Sequence, residues 1–84
     1  MYYTYVLWSI EDRKFYIGYT NDIERRIAEH RNGSCHTTLR LCNPKLVFYE
    51  AFLAREDAER RERYFKTAKG KKTLKLMLGG SIGG

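Results

Sequence analysis

Two rhythms of apolar and polar positions divide this chain, an alternating one at its amino end and a helical one further on. Tyr2 to Trp8 and Phe15 to Tyr19 are aromatic and β-branched runs, separated by the charged, turn-like segment Ser9 to Lys14. Together they predict a β-hairpin. If its loop holds an even number of residues, side-chain alternation puts Tyr5 and Tyr16 on one face with Tyr3, Leu7 and Gly18. Val6, Trp8, Phe15 and Ile17 then form the opposite face, an apolar set suited to packing against a helix.

After Gly18 the rhythm becomes helical. Asn21 and Glu24 form a capping-box arrangement that opens a helix from about Asp22 to Arg31. Ile23, Ile27 and His30 mark its inner stripe with Ala28 beside them, and Asn32-Gly33 stops it. Gly33 to Pro44 carries no sustained period and reads as a long polar loop. Lys45 to Phe52 is a third strand, entered through Pro44. Ala54 to Lys66 is a second helix, dense in charge, with Ala54, Ala58 and Phe65 as its apolar stripe. At roughly 100° per residue, Glu62 lies closest to that stripe among the acids, Asp57 next, and Glu56 and Glu59 turn away. Lys69-Gly70-Lys71-Lys72 interrupts the pattern before Leu74, Leu76, Met77 and Leu78 suggest a short third helix. The expected architecture is α/β, a three-stranded antiparallel sheet of mixed strand order packed with helices in the order β-β-α-β-α-α. One domain is expected over residues 1–78, with the glycine-rich 79–84 as a frayed tail.

Composition adds a partner to this outline. The chain has 84 residues, 43 % of them hydrophobic, enough for one core. Sixteen Lys and Arg against ten Asp and Glu leave a net charge of +6, which favours an anionic partner, nucleic acid first. No apolar run approaches a bilayer span and no secretory signal opens the chain, so no membrane is expected and a cytoplasmic location is. Cys35 and Cys42 are expected as free thiols there. A zinc site drawn from them with His30 and His36 matches no common ligand spacing.

Cutting a phosphodiester needs a group to activate water, an electrophile for the phosphate oxygens and commonly a carboxylate-held metal. Candidates are present: the phenols of Tyr5 and Tyr16, the guanidinium of Arg26 one turn before His30, and Glu62, a single carboxylate of the kind that holds Mg²⁺ with several waters. Each also has a plainer role. The tyrosines suit strand packing, and Arg26 stands between Arg25 and Arg31 as one more helix charge. Glu62 can pair with Lys66 at i,i+4, and His30 can be a core histidine. On the residues alone the chain is a basic α/β domain with a polar tyrosine face.

Tyr3-Thr4-Tyr5, ten intervening residues, Tyr16-Ile17-Gly18, then Asn21, Arg26, His30 and Glu62, resemble the GIY-YIG nuclease superfamily over about residues 2–66. The chain is similar in particular to its small stand-alone bacterial members, related to the N-terminal nuclease domain of the excision-repair incision subunit. The resemblance implies a metal-dependent endonuclease acting on DNA, RNA being a further possible substrate, in repair or recombination. It implies catalytic roles for Tyr5, Tyr16, Arg26, His30 and Glu62, with Glu62 holding one Mg²⁺ or Mn²⁺ ion. Lys66, Arg25, Arg40 and Thr38 would contact substrate. The sequence departs from the pattern at Tyr3-Thr4, at Tyr19 where excision-repair members tend to have Lys, and in the Lys69–Lys72 region, which has no clear counterpart to a downstream Asn. A non-catalytic nucleic-acid-binding module and a repair adaptor with the same fold stay open beside the nuclease, as does a protein partner for targeting.

Overall fold

A computed structural model describes residues 1–32 and 41–83. Its elements run β1 (Tyr2–Ser9), β2 (Lys14–Thr20), α1 (Ile23–Arg31), β3 (Lys45–Phe52), α2 (Arg55–Phe65) and α3 (Ala68–Met77). The strands form one antiparallel sheet in the order β2-β1-β3. This is the expected α/β arrangement, with β1 central because strands on both sides pair with it. Cys35, His36, Thr38 and Arg40 lie outside the described residues, and so do the zinc alternative and the two substrate contacts that depend on them.

The hairpin meets the parity condition. Ser9 pairs with Lys14, so four residues, 10–13, make the turn, and Tyr5 stands opposite Gly18 while Leu7 stands opposite Tyr16. Tyr5 and Tyr16 therefore share a face. The turn is tied down by Ser9, whose hydroxyl accepts from the Asp12 amide at 3.1 Å and donates to the Cys42 carbonyl at 2.6 Å. Asp12 completes the tie by accepting from the Cys42 amide at 2.7 Å.

On the opposite face Val6, Trp8 and Ile17 join Phe65, Leu74, Leu78 and Ile82 in one buried cluster. The pairing of β1 with β3 shifts between Val6 and Leu7, since Val6 faces Phe48 and Leu7 faces Leu46. Val47 is the extra residue of this bulge, and both Val47 and Phe48 pack on the core cluster. Thr4, also on this face and fully buried, donates to the Ala58 carbonyl at 2.7 Å and so fixes α2 over β1. Arg61 of α2 reaches Glu50 of β3 at 2.8 Å and lies over the Phe65 ring at 4.4 Å, a second tie between helix and sheet.

Several expectations about the helices need correction. The cap of α1 is Asp22 and not Asn21: its carboxylate accepts from the Arg25 amide at 3.1 Å, one residue later than the capping box implied. Ala28 is exposed, because the stripe that meets the sheet is narrow and ends in His30. Among the ion-paired α2 acids Glu62 is the least exposed, at 19 %, but Glu59 at 29 % follows it ahead of Asp57 at 46 %, since Arg55 pairs with Glu59. The Lys69–Lys72 segment does not interrupt α3 but begins it. A β-carbon on Gly70 would collide with the Tyr64 carbonyl, so the glycine lets α3 start against the end of α2. Leu74 and Leu78 reach the core while Leu76 and Met77 stay exposed. The glycine-rich end, expected to fray, instead returns Ile82 to the core at 5 % exposure, its amide bonded to the Leu78 carbonyl.

Candidate active site

The tyrosine face is organised by one imidazole. Tyr5 is 1 % exposed, and its hydroxyl is hydrogen-bonded to His30 Nε2 at 2.9 Å. The Tyr16 ring meets the same imidazole edge-on, with centroids 5.0 Å apart, and lies 6.2 Å from the Tyr5 ring. Strand pairing and the helical spacing of α1 thus bring together three of the residues named from the sequence.

The sequence reading placed Gly18 on this face without giving it a task, and the structure supplies one. A β-carbon there would stand 2.6 Å from the Tyr5 hydroxyl oxygen and 2.7 Å from the carbon that bears it. The phenol therefore lies directly across the β2 backbone, and only glycine leaves it room. Cross-strand pairing of Tyr5 with Gly18 was the signal that could have revealed this, because opposite residues on one face have adjacent β-carbons.

Arg26 approaches from α1. One guanidinium nitrogen is 3.2 Å from Glu29, and the side chain is 39 % exposed. His30 is pushed below its ordinary pKa, first by burial and second by the Arg26 charge, with Glu29 opposing. Neutral imidazole is consequently the form that faces Tyr5 at pH 7. Which partner donates in the Tyr5–His30 bond depends on the tautomer, so a proton can be placed on either side of it.

Glu62 stands on α2, which packs over the face of the sheet opposite the tyrosines through the Thr4 bond to the Ala58 carbonyl. On a helical projection it lies about 40° to one side of Ala58, with Arg55 about 60° to that same side and Arg61 about 60° to the other. Arg61 pairs with Glu50 of β3, whereas Arg55 lines a cavity with Tyr19 of β2. The flank of α2 that carries Glu62 hence faces β2, on the side of the sheet away from the Tyr16 ring. Among the described residues its polar contact is with Lys66, 3.2 Å away, and no described contact joins it to Tyr5, Tyr16, Arg26 or His30. Arg25 is exposed on α1, and Lys66 is 55 % exposed at the end of α2.

A divalent ion fits this donor set in one way. Among the described residues no three His, Cys, Asp or Glu side chains converge, so a tetrahedral zinc centre is not built there. A lone hard-oxygen carboxylate suits Mg²⁺ or Mn²⁺, whose remaining ligands would be water and phosphate oxygens. No helix among the described residues is long and apolar enough to cross a membrane.

Comparison with known proteins supports the fold and identifies the family. The chain is 37 % identical over 83 residues to a UPF0213 protein of Clostridium perfringens, covering 98 % of this chain and 88 % of that one. It is 36 % identical over 80 residues to a UPF0213 protein of Limosilactobacillus reuteri, covering 92 % and 82 %. The solution NMR structure of a UPF0213 protein from Bacillus halodurans superposes with a TM-score of 0.58 at 34 % identity, covering 95 % of this chain and 88 % of that one. The GIY-YIG catalytic domain family matches residues 1–75, which takes in both strands of the tyrosine hairpin, Arg26, His30 and Glu62, and the chain belongs to that family of the nuclease superfamily.

Proposed function

We propose that the protein is a metal-dependent endonuclease that hydrolyses phosphodiester bonds in DNA, with repair or recombination as its setting. The observation that carries this reading is the buried Tyr5–His30 hydrogen bond with Tyr16 against the same imidazole. A surface that only binds nucleic acid needs cations and no such phenol–imidazole pair. Attack by water on phosphorus requires that the water lose a proton. The Tyr5 oxygen takes that proton as its own passes to neutral His30 Nε2, or Tyr16 positions the water for the same transfer. Arg26, paired with Glu29, balances charge on the phosphate oxygens in the transition state. Glu62 would hold Mg²⁺ or Mn²⁺, which when bound polarises the phosphate and steadies the leaving oxygen.

The surrounding charge supports a polyanionic substrate. Lys69, Lys71, Lys72 and Lys75 make α3 basic, with no acid in its sequence, and Arg63 and Lys66 extend the patch at the end of α2. One observation favours a second reading, a non-catalytic binding module: the Lys66 ammonium already holds Glu62. A nicking assay on plasmid and branched DNA with Mg²⁺ or Mn²⁺ decides between them. The nuclease reading expects nicks that Glu62→Gln and Arg26→Ala each reduce by about a hundredfold or more. DNA binding with no nicks under either metal on any duplex, flap or single strand would establish the binding module instead.

A further inference from the structure

One cavity on the Thr4 side of the sheet shares Arg26 with the proposed reaction and has, in its other lining residues, the chemistry of a further ligand site. It measures about 290 Å³ and is lined by Tyr2, Tyr19, Thr20, Asn21, Arg26 and Arg55. Tyr2 opens β1 and Tyr19 stands near the end of β2 opposite Thr4, so the two rings are diagonal neighbours on the Thr4 face. Other aromatic rings of the sheet have aromatic partners: Tyr3 meets Tyr49, Tyr5 meets Tyr16 and Trp8 meets Phe15. Among the described residues Tyr2 and Tyr19 have neither a ring partner nor a side-chain hydrogen bond, although both are only half-exposed.

Two cations stand at the same opening. Arg55 is 64 % exposed and Arg26 39 %, and each is tied to a carboxylate through one nitrogen, Arg55 Nε to Glu59 at 2.8 Å and Arg26 to Glu29 at 3.2 Å. Those ties use one nitrogen each and leave further N–H groups on both guanidinium groups to donate. Aromatic faces and guanidinium forks together suit a ligand with a flat ring system and a phosphate. A bare anion has no use for the rings, and an apolar ligand has none for the arginines. The volume, just below the roughly 300 to 1,000 Å³ range of ligand sites, suits a group the size of a single nucleotide.

We propose that this cavity is a subsite for one unpaired nucleotide of the strand being cut, its base against Tyr19 and Tyr2 and its phosphate at Arg55 and Arg26. The proposal rests on the nuclease reading for its substrate and extends it to substrate structure. A base inside a duplex has both faces covered by its neighbours, so it reaches these rings only when unstacked. Arg26 then belongs to both sites and couples them, placing the scissile phosphate next to the nucleotide held in the cavity. Single strands, frayed ends and junctions are selected over continuous duplex.

The test is binding without cleavage: fluorescence anisotropy of the full chain in EDTA with a labelled single-stranded oligodeoxynucleotide and with the same sequence as a blunt duplex. Wild type is expected to bind the single strand more tightly. Tyr19→Leu should weaken single-strand binding by about tenfold and duplex binding by less than about twofold, while Tyr19→Phe, which keeps the ring, retains wild-type affinity. Arg55→Gln should weaken single-strand binding a few-fold and lower the salt slope by roughly 0.7, one phosphate contact. Equal affinity of wild type for both DNAs, equal loss or no loss of both with Tyr19→Leu, or the same loss with Tyr19→Phe would overturn the subsite. The two readings fail separately. Ring-dependent single-strand binding without nicking by any metal keeps the subsite and removes the nuclease, and nicking with no Tyr19 dependence does the reverse.

Discussion

The two faces of this small sheet are built on different principles. Beneath α2 and α3, Val6, Trp8 and Ile17 meet Phe65, Leu74, Leu78 and Ile82 through non-directional apolar contact. On the other face Tyr5, Tyr16 and His30 meet through rings and one directed hydrogen bond at 2.9 Å. The first arrangement tolerates many side chains of similar volume, and the second tolerates few. Residues next to each other on β1 therefore answer to different constraints: Val6 to volume, Tyr5 to geometry.

That contrast can be broken most forcefully on the apolar face. Phe65→Ala empties a fully buried site against Phe48, and chemical denaturation should show a loss of about 3–5 kcal/mol, much of the stability of so small a domain. On the tyrosine face Gly18→Ala forces the Tyr5 ring out of its place. It should cost about 1–3 kcal/mol and reduce nicking disproportionately, read by comparing denaturation midpoint with cleavage rate at a temperature where the variant is folded. Tyr5→Phe keeps the ring and removes the hydrogen bond to His30. A loss of about 1 kcal/mol is expected with a large fall in cleavage, so activity and stability separate where on the apolar face they move together.

The smallest effect on stability sharpens the comparison most. Arg26→Ala removes a cation that lowers the His30 pKa and leaves Glu29, which raises it, so NMR titration of the imidazole should show the pKa rising. In wild type the folded imidazole resists protonation. Stability is therefore full above the ordinary value of 6.5 and declines as pH falls from there through the folded-state pKa, because the unfolded chain binds the proton more readily. A His30 pKa unmoved by Arg26→Ala would show that burial alone sets it.

Much of this arrangement was legible in the sequence because it depends on short-range regularity. Alternation along Tyr2 to Trp8 and Phe15 to Tyr19, with a four-residue turn, determines that Tyr5 and Tyr16 share a face. Helical spacing determines that Ala58 and Phe65 turn inward with Glu62 beside them, and their burial agrees. The same spacing carries the motif by which the family is recognised. Contacts between different elements were decided only by tertiary structure. Thr4 meeting the Ala58 carbonyl, Gly70 admitting α3 against Tyr64, and Ile82 returning to the core have no local signature, since each exists only once two elements approach. The cavity of Tyr2, Tyr19, Arg26 and Arg55 is of this kind too: its four side chains come from four elements, and no spacing along the chain measures how far apart those elements stand. Periodicity settles which way a residue points on its own element, and only packing settles what it points at.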